Sequence, residues 1–184
     1  MTVAAVVDGE AVGVDEVDRR LAALRATPFG SRLPSPATAE GRNARRWVAQ
    51  LLCAQRLVEH EIALRGIVST SLRPLTLQSA LGMGGVAASL LAEIPGSPEL
   101  VAEFVEPVPD LDVRGYYDRN IDLYGDGAMP FAQARAAIEA ELRSARAEAA
   151  FALWLDRAMR DRVRMADGFE HPATPWSPDA THRH

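Results

Sequence analysis

Apolar and polar residues alternate over short runs at both ends of the chain and follow a helical period between them. Residues 3–7 and 11–14 are β-prone runs on either side of Asp8 and Gly9, a pair that suits a tight turn. Residues 161–166 (DRVRMA) show the alternation of a half-exposed strand. Because an isolated hairpin is marginal in water, we expect this strand to pair with the N-terminal hairpin.

A first long helix is predicted from Thr38 or Ala39 to Arg65. It ends before Gly66, a residue type that commonly terminates helices. Apolar residues recur along it at spacings of three and four, which indicates one buried face. The positions predicted to face inward are Trp47, Leu51, Ala54, Val58 and Ile62, with Leu57 and Leu64 broadening the face.

A second long helix is predicted over residues 130–160, behind Pro130. Its many alanines favour a close approach of neighbouring helices. The positions predicted to face inward are Phe131, Ala134, Ile138, Leu142, Ala145, Ala149 and Leu153.

Shorter helices are predicted around these two. They cover residues 15–25, 75–81, 86–93, a segment that Ser97 would cap, and 112–120. The sequence therefore predicts a mainly α protein with two long helices and a small two- to three-stranded sheet that joins the hairpin to a C-terminal strand. We expect one domain over residues 1–166 and a docked Pro- and His-rich tail over 167–184, anchored by Phe169 and Trp176.

The composition is that of an ordinary globular protein, with 48% hydrophobic and 24% charged residues. The net charge is −5, and the 20 basic residues are all arginines without a long cluster, which argues against nucleic-acid binding. The single Cys53 lies between apolar residues of the first long helix, so a buried and inert thiol is expected in a reducing compartment. The N-terminus reads as neither a signal peptide nor a membrane span, so we expect a cytoplasmic protein without membrane contact.

Histidines supply the candidate chemistry. The tail residues His171, His182 and His184 are candidate ligands for Zn²⁺, since imidazole is a common ligand for this ion, although a tail held only by packing is the plainer interpretation. His171 is also a candidate acid/base group. His60, on the first long helix, would move a proton together with Tyr116 or Tyr117 if that helix lines a cavity; the alternative is a structural histidine.

Three motifs together carry a resemblance to a known family. They are VVDGEAVGVDEVDRRL near the start, V-R-x-Y-Y-D-R-N before the second long helix, and Trp154-Leu155 within it. Over residues 3–66 and 109–166 the chain resembles the helical core of SurA/parvulin-type foldase chaperones, which implies a helical cradle for an extended apolar polypeptide. The intervening residues 67–108 lack the strands and the histidine pair of a parvulin domain, so the resemblance does not imply prolyl isomerase activity.

The chain end EHP…HRH is similar to small actinobacterial proteins of secondary-metabolite clusters, where carrier-bound polyketide-type chains are handled. Three functional hypotheses follow. The first is a SurA-like cradle for an extended apolar chain, in a chaperone-like or accessory role. The second is a cytosolic isomerase or other acid/base enzyme acting on a carrier-bound acyl or polyene chain, and the third is a helical partner subunit of a biosynthetic enzyme. A homo-oligomer is compatible with each of them.

Overall fold

The computed structural model describes residues 2–27, 30–69, 94–125 and 129–170. These residues form a mainly helical protein with a small three-stranded antiparallel sheet, which confirms the predicted fold class. The strands are β1 (Val3–Val7), β2 (Glu10–Gly13) and β3 (Val163–Met165). The helices are α1 (Val14–Arg25), α2 (Ala39–Arg65), α3 (Ser97–Ala102), α4 (Asp110–Arg119) and α5 (Phe131–Arg162), with short 3₁₀ turns at Gly30–Arg32 and Ile121–Tyr124.

The sheet has the order β2-β1-β3, so β1 is its central strand. The β1–β2 turn is made by Asp8 and Gly9, whose φ angles are 50° and 90°. On the other side of β1, Val7 pairs with Val163, and the amide of Asp8 donates a hydrogen bond to the carbonyl of Arg162 over 3.1 Å. The prediction that a C-terminal strand completes the N-terminal hairpin is therefore confirmed.

Helix α2 has the predicted length, and Gly66 follows it with a φ of 64°. Its inner face differs from the prediction at two positions, because Trp47 is 37% exposed and Leu64 is 79% exposed. Leu64 lies in the last turn of the helix. Next to Trp47, Arg46 is buried instead, since its guanidinium donates to the carbonyl of Gly168 and to the side chain of Asn43.

Helix α5 buries a different face from the predicted one in its second half. Ala134 and Ile138 are buried as expected, but Ala145, Ala149 and Leu153 are exposed. The buried positions there are Ala147, Phe151, Leu155 and Ala158. Alanines lie on several sides of this helix, so the apolar period alone does not select one face.

Helices α1 and α4 begin at least one position before their predicted first residues. Helix α1 starts at Val14 with Gly13 as its N-cap, and α4 starts at Asp110 with Pro109 as its N-cap. Helix α3 has Gly96 as its N-cap, with a φ of 89°, and Ser97 lies inside the first turn, fully buried. The prediction that Ser97 caps this helix is wrong, because glycine adopts the left-handed backbone that the entry into α3 requires.

The chain divides into two compact units. The first comprises residues 1–60 and 155–184, and the second comprises residues 61–154. In the second unit, Val113 and Tyr117 of α4 pack against Ala134 and Ile138 of α5. The division into one domain and a docked tail stays a prediction.

Several predicted features lie outside the described residues. They are the helices over 75–81 and 86–93, Trp176, His171, His182 and His184. Among the helices that are described, none combines the length and the apolar character needed to cross a membrane.

Candidate functional site

An apolar groove opens on the surface of the second unit, between α3 with the residues after it and the middle of α5. Its volume is about 280 Å³. The α3 side contributes Pro98, Val101, Ala102 and Val105, and the α5 side contributes Ala140, Arg143, Ser144 and Ala147. Six of these eight side chains are apolar, so the groove offers a surface suited to an apolar ligand.

The α3 segment packs against the protein through the side that faces away from the groove. Leu100 is fully buried, and the ring of Phe104 lies 5.7 Å from that of Phe151 and 5.6 Å from that of Trp154. The guanidinium of Arg65 lies 5.0 Å from the centre of the Phe104 ring. These contacts hold the segment in place and leave its remaining apolar side chains to line the groove.

The α5 side of the groove is lined by small residues. Ala140, Ser144 and Ala147 are spaced four and three apart, so they share one side of the helix. Short side chains leave room above the helix backbone. Polar groups border this floor: Arg143 is paired with Glu139, and the hydroxyl of Ser144 donates to Glu148 over 3.2 Å.

Charged pairs connect helix α4 and the segment just before it to helix α5. Arg146 donates to the carbonyl of Pro107 over 3.1 Å and forms an ion pair with Asp112. Arg135 donates to Asp110 over 2.5 Å. These contacts hold the segment that follows α3 against α5.

The two candidate tyrosines lie in the second unit and have structural partners. Tyr117 is buried, and its hydroxyl donates to the carbonyl of Met129 over 2.6 Å while its ring stacks on Tyr124. The hydroxyl of Tyr116 donates to Glu141 over 3.1 Å, and burial together with this carboxylate raises the pKa of Tyr116. A catalytic role for either tyrosine stays a prediction.

His60 lies in the first unit, between two carboxylates of the N-terminal hairpin. Its Nδ1 is 3.2 Å from Oδ2 of Asp8, and its Nε2 is 3.6 Å from Oε2 of Glu10. Asp8 also accepts hydrogen bonds from Nε and Nη2 of Arg162, at 2.9 and 2.5 Å. The hydrogen bonds from Arg162 lower the pKa of Asp8 to about 2, and His60 contributes to the same effect.

The charged contacts continue from Glu10 to helix α1. Arg56 lies 3.6 Å from Glu10 and donates to Glu16 over 3.0 Å. We call the whole set the hairpin ion chain, which consists in order of Arg162, Asp8, His60, Glu10, Arg56 and Glu16. The sequence singled out only His60 from this set. The Asp8-Gly9-Glu10 turn was visible as a turn, but its partners lie about 50 and 150 positions away, so no local pattern joins them.

The first residues of the tail contact helix α2. Phe169 is buried, with the guanidinium of Arg45 lying 5.1 Å from the centre of its ring, and Nε of Arg46 donates to the carbonyl of Gly168 over 3.0 Å. In the ranges that the structure describes, no three His, Cys, Asp or Glu side chains are grouped so as to hold a metal ion. Because the three tail histidines lie beyond Glu170, Zn²⁺ binding there and a catalytic role of His171 stay predictions.

Cys53 is buried in α2, as predicted. Burial raises the pKa of its thiol to about 12. The thiolate is the reactive form of cysteine, so this residue is chemically inert at neutral pH.

Fold and site together define the class of protein: a mainly α protein with a small sheet, an open apolar groove in its second unit and an ion chain centred on a hairpin in its first. The family model DUF7158, described as a family of unknown function, matches residues 3–40. This segment contains the hairpin, α1 and the first residues of α2, including Asp8, Glu10 and Glu16 of the ion chain. No curated protein and no solved structure matches the chain.

Proposed function

We propose that the protein binds an extended apolar chain in the groove between the α3 segment and α5, in a chaperone-like or accessory role. The observation that carries this proposal is the apolar lining of a groove that is open to solvent. Exposed apolar surface costs free energy in water, and a ligand that covers it recovers part of that cost. This is also the role that the SurA-like resemblance implies.

The dimensions of the groove favour a short stretch of chain over a folded partner. Its volume of about 280 Å³ lies just below the range of roughly 300–1,000 Å³ that is usual for small-ligand sites. It therefore has room for a few apolar side chains. A stable interface between folded proteins requires a larger contact area, typically roughly 800 Å² on each partner.

The openness of the groove favours a peptide over an acyl chain. A peptide carries backbone amides and carbonyls, which lose free energy when they are buried without partners. In an open groove these groups stay in water, while alternate side chains of an extended strand point toward the apolar floor. An acyl chain has no such polar groups and gains more from an enclosed tunnel.

Blocking the floor of the groove tests this proposal. The variant Ala140→Trp should lower the affinity for a fluorescein-labelled apolar decapeptide at least tenfold, as measured by fluorescence anisotropy, because the indole fills space that the ligand needs. Ala149→Trp is the matched control. Ala149 is exposed and lies nine residues further along the same helix, on the opposite side, so this variant should bind as the unchanged protein does.

A fluorescent fatty acid serves as the second probe in the same experiment. Binding of the fatty acid in preference to the peptide, with the same sensitivity to Ala140→Trp, would contradict the peptide proposal and favour the acyl-chain hypothesis. Equal affinity of the two tryptophan variants for the peptide would show that the groove is not the binding site.

A further inference from the structure

The apolar groove of the second unit has a cation in its lining. Among the described residues that line it, Arg143 is the only one with a formal charge, beside six apolar residues and Ser144. The carboxylates of Glu139 and Glu148 contact Arg143 and Ser144 but are not part of the lining. A ligand in the groove therefore meets apolar surface and a positive charge.

The guanidinium of Arg143 has donors left for a ligand. A guanidinium carries several N–H groups in a planar fork and can bind more than one acceptor. In the ranges that the structure describes, Nη2 donates to Glu139, so Nε and Nη1 keep donors for a further acceptor. The side chains of Arg143 and Glu139 are 47% and 30% exposed, so water screens this pair and a second carboxylate can join it without breaking a buried contact.

The other polar side chain of the lining cannot replace Arg143 as a donor. The hydroxyl of Ser144 donates its proton to Glu148 over 3.2 Å, so it offers a ligand only its oxygen, as an acceptor. An acceptor on the ligand is therefore best placed at Arg143. Hydrogen bonds between a guanidinium and an ionised carboxylate are stronger than those to a neutral carbonyl, so an acidic group gains the most from this position.

We propose that the groove selects peptides that carry a carboxylate next to their apolar residues, and that Arg143 is the residue that binds this carboxylate. This inference rests on the proposed function and adds a charge preference to it. The carboxylate comes from an acidic side chain or from the free C-terminus of the peptide. A basic residue at the same place is disfavoured, because it brings a like charge close to the guanidinium.

Four fluorescein-labelled apolar decapeptides test the preference by anisotropy with the full chain. Three have an amidated C-terminus and differ only in a central Glu, Gln or Lys, and the fourth has the central Gln and a free C-terminal carboxylate. The Glu peptide should bind about threefold more tightly than the Gln peptide, the gain expected of a partly exposed ion pair, and the Lys peptide more weakly than both. A gain for the fourth peptide instead of the Glu peptide would assign the carboxylate to the C-terminus.

Two variants of the ion pair assign the preference to Arg143. Arg143→Gln removes the cation and leaves Glu139 in place, so the carboxylate peptide should lose its advantage over the neutral one. Glu139→Gln removes the competing carboxylate, so this advantage should grow. Arg160→Gln is the matched control, since Arg160 pairs with Asp156 four positions before it on the same helix and does not line the groove. It changes the net charge as Arg143→Gln does and should keep the preference.

The outcomes separate this inference from the proposed function. Equal affinity of the four peptides, with Ala140→Trp still weakening all of them, would overturn the carboxylate preference and leave the groove as the binding site. A preference that persists in Arg143→Gln would overturn the role of Arg143. Binding that is insensitive to Ala140→Trp would overturn the proposed function itself.

Discussion

Asp8 connects three elements through one side chain. Its carboxylate accepts two hydrogen bonds from Arg162 and lies within 3.2 Å of His60, while its own amide donates to the carbonyl of Arg162. Its φ of 50° is in the left-handed region, which aspartate and asparagine adopt more readily than most residues. The residue therefore serves both the turn conformation and the charge contacts.

Asp8→Asn removes the negative charge of this side chain and keeps a residue that suits the turn. We expect the free energy of unfolding at pH 7 to fall by roughly 0.5–1.5 kcal/mol, the usual range for partly exposed hydrogen bonds to charged groups. The pKa of Asp8 is lowered from 3.8 to about 2, so its contribution is present above about pH 4 and is lost as pH falls through about 2.

Urea unfolding of both proteins between pH 2 and pH 7 measures this difference. Asp156→Asn is the control, since Asp156 pairs with Arg160 on an exposed stretch of α5 where both side chains are about two-thirds exposed. Its effect should stay within about 0.5 kcal/mol. A difference between Asp8→Asn and the unchanged protein that is as large at pH 2 as at pH 7 would contradict the assignment.

At the residue scale, the sequence was informative about burial but not about partners. It predicted a buried Cys53, which the structure confirms. It identified His60 but neither of the carboxylates beside it. Those contacts depend on the folding of the hairpin onto α2, which no short-range pattern encodes.

The start of helix α2 depends on a glycine. The amide of Gly41 donates to Oγ1 of Thr38 over 3.1 Å, the hydrogen bond typical of a helix N-cap. A Cβ atom at Gly41 would lie 1.9 Å from the carbonyl oxygen of Ser35. The preceding chain therefore packs on the first turn of the helix at a distance that only glycine allows.

Gly41→Ala should lower the free energy of unfolding by about 1–3 kcal/mol, because a backbone group must move to admit the methyl. Gly115→Ala is the matched comparison within a helix. There the nearest atom to an added Cβ is Nη1 of Arg119 at 3.1 Å, the end of a flexible side chain. Alanine in this helix interior should be neutral or stabilise by up to about 1 kcal/mol. Chemical denaturation checks both values, and equal effects would contradict the packing described here.

The buried face of α5 leads to a second prediction at this scale. Phe151 is fully buried, and its ring centre lies 5.7 Å from that of Phe104 and 5.5 Å from that of Trp154, whereas Leu153 is 58% exposed to solvent. Phe151→Ala should cost about 3–5 kcal/mol of stability. Leu153→Ala should cost no more than about 0.5 kcal/mol. Similar losses for the two variants in urea unfolding would mean that the face is wrongly placed.

Element boundaries were more predictable than element faces. The period of apolar residues and the terminal Gly66 predicted α2 closely, and alternation predicted β3. The face of α5 was predicted correctly at Ala134 and Ile138 but not beyond Leu142. Leu153 continues the apolar period but is exposed, since burial along a long helix depends on its neighbours, which the period does not identify.

On the scale of the whole molecule, the hairpin ion chain and the groove belong to different units. The hairpin ion chain lies in the first unit, which contains the segment matched by the family of unknown function, and the groove lies in the second. The mainly α fold was predictable because patterning decides fold class. The groove was not, since it forms where residues 98–105 and 140–147 meet, and neither segment is unusual in sequence.

The most direct test of the proposed function is to map the ligand on the full chain. ¹⁵N-labelled protein titrated with the unlabelled apolar decapeptide should show its largest amide chemical-shift changes at residues 98–105 and 140–147, with Ala140→Trp suppressing them and Ala149→Trp leaving them in place. Shift changes that avoid both segments, or no change at peptide concentrations that saturate binding in anisotropy, would contradict the proposal that this groove holds an extended apolar chain.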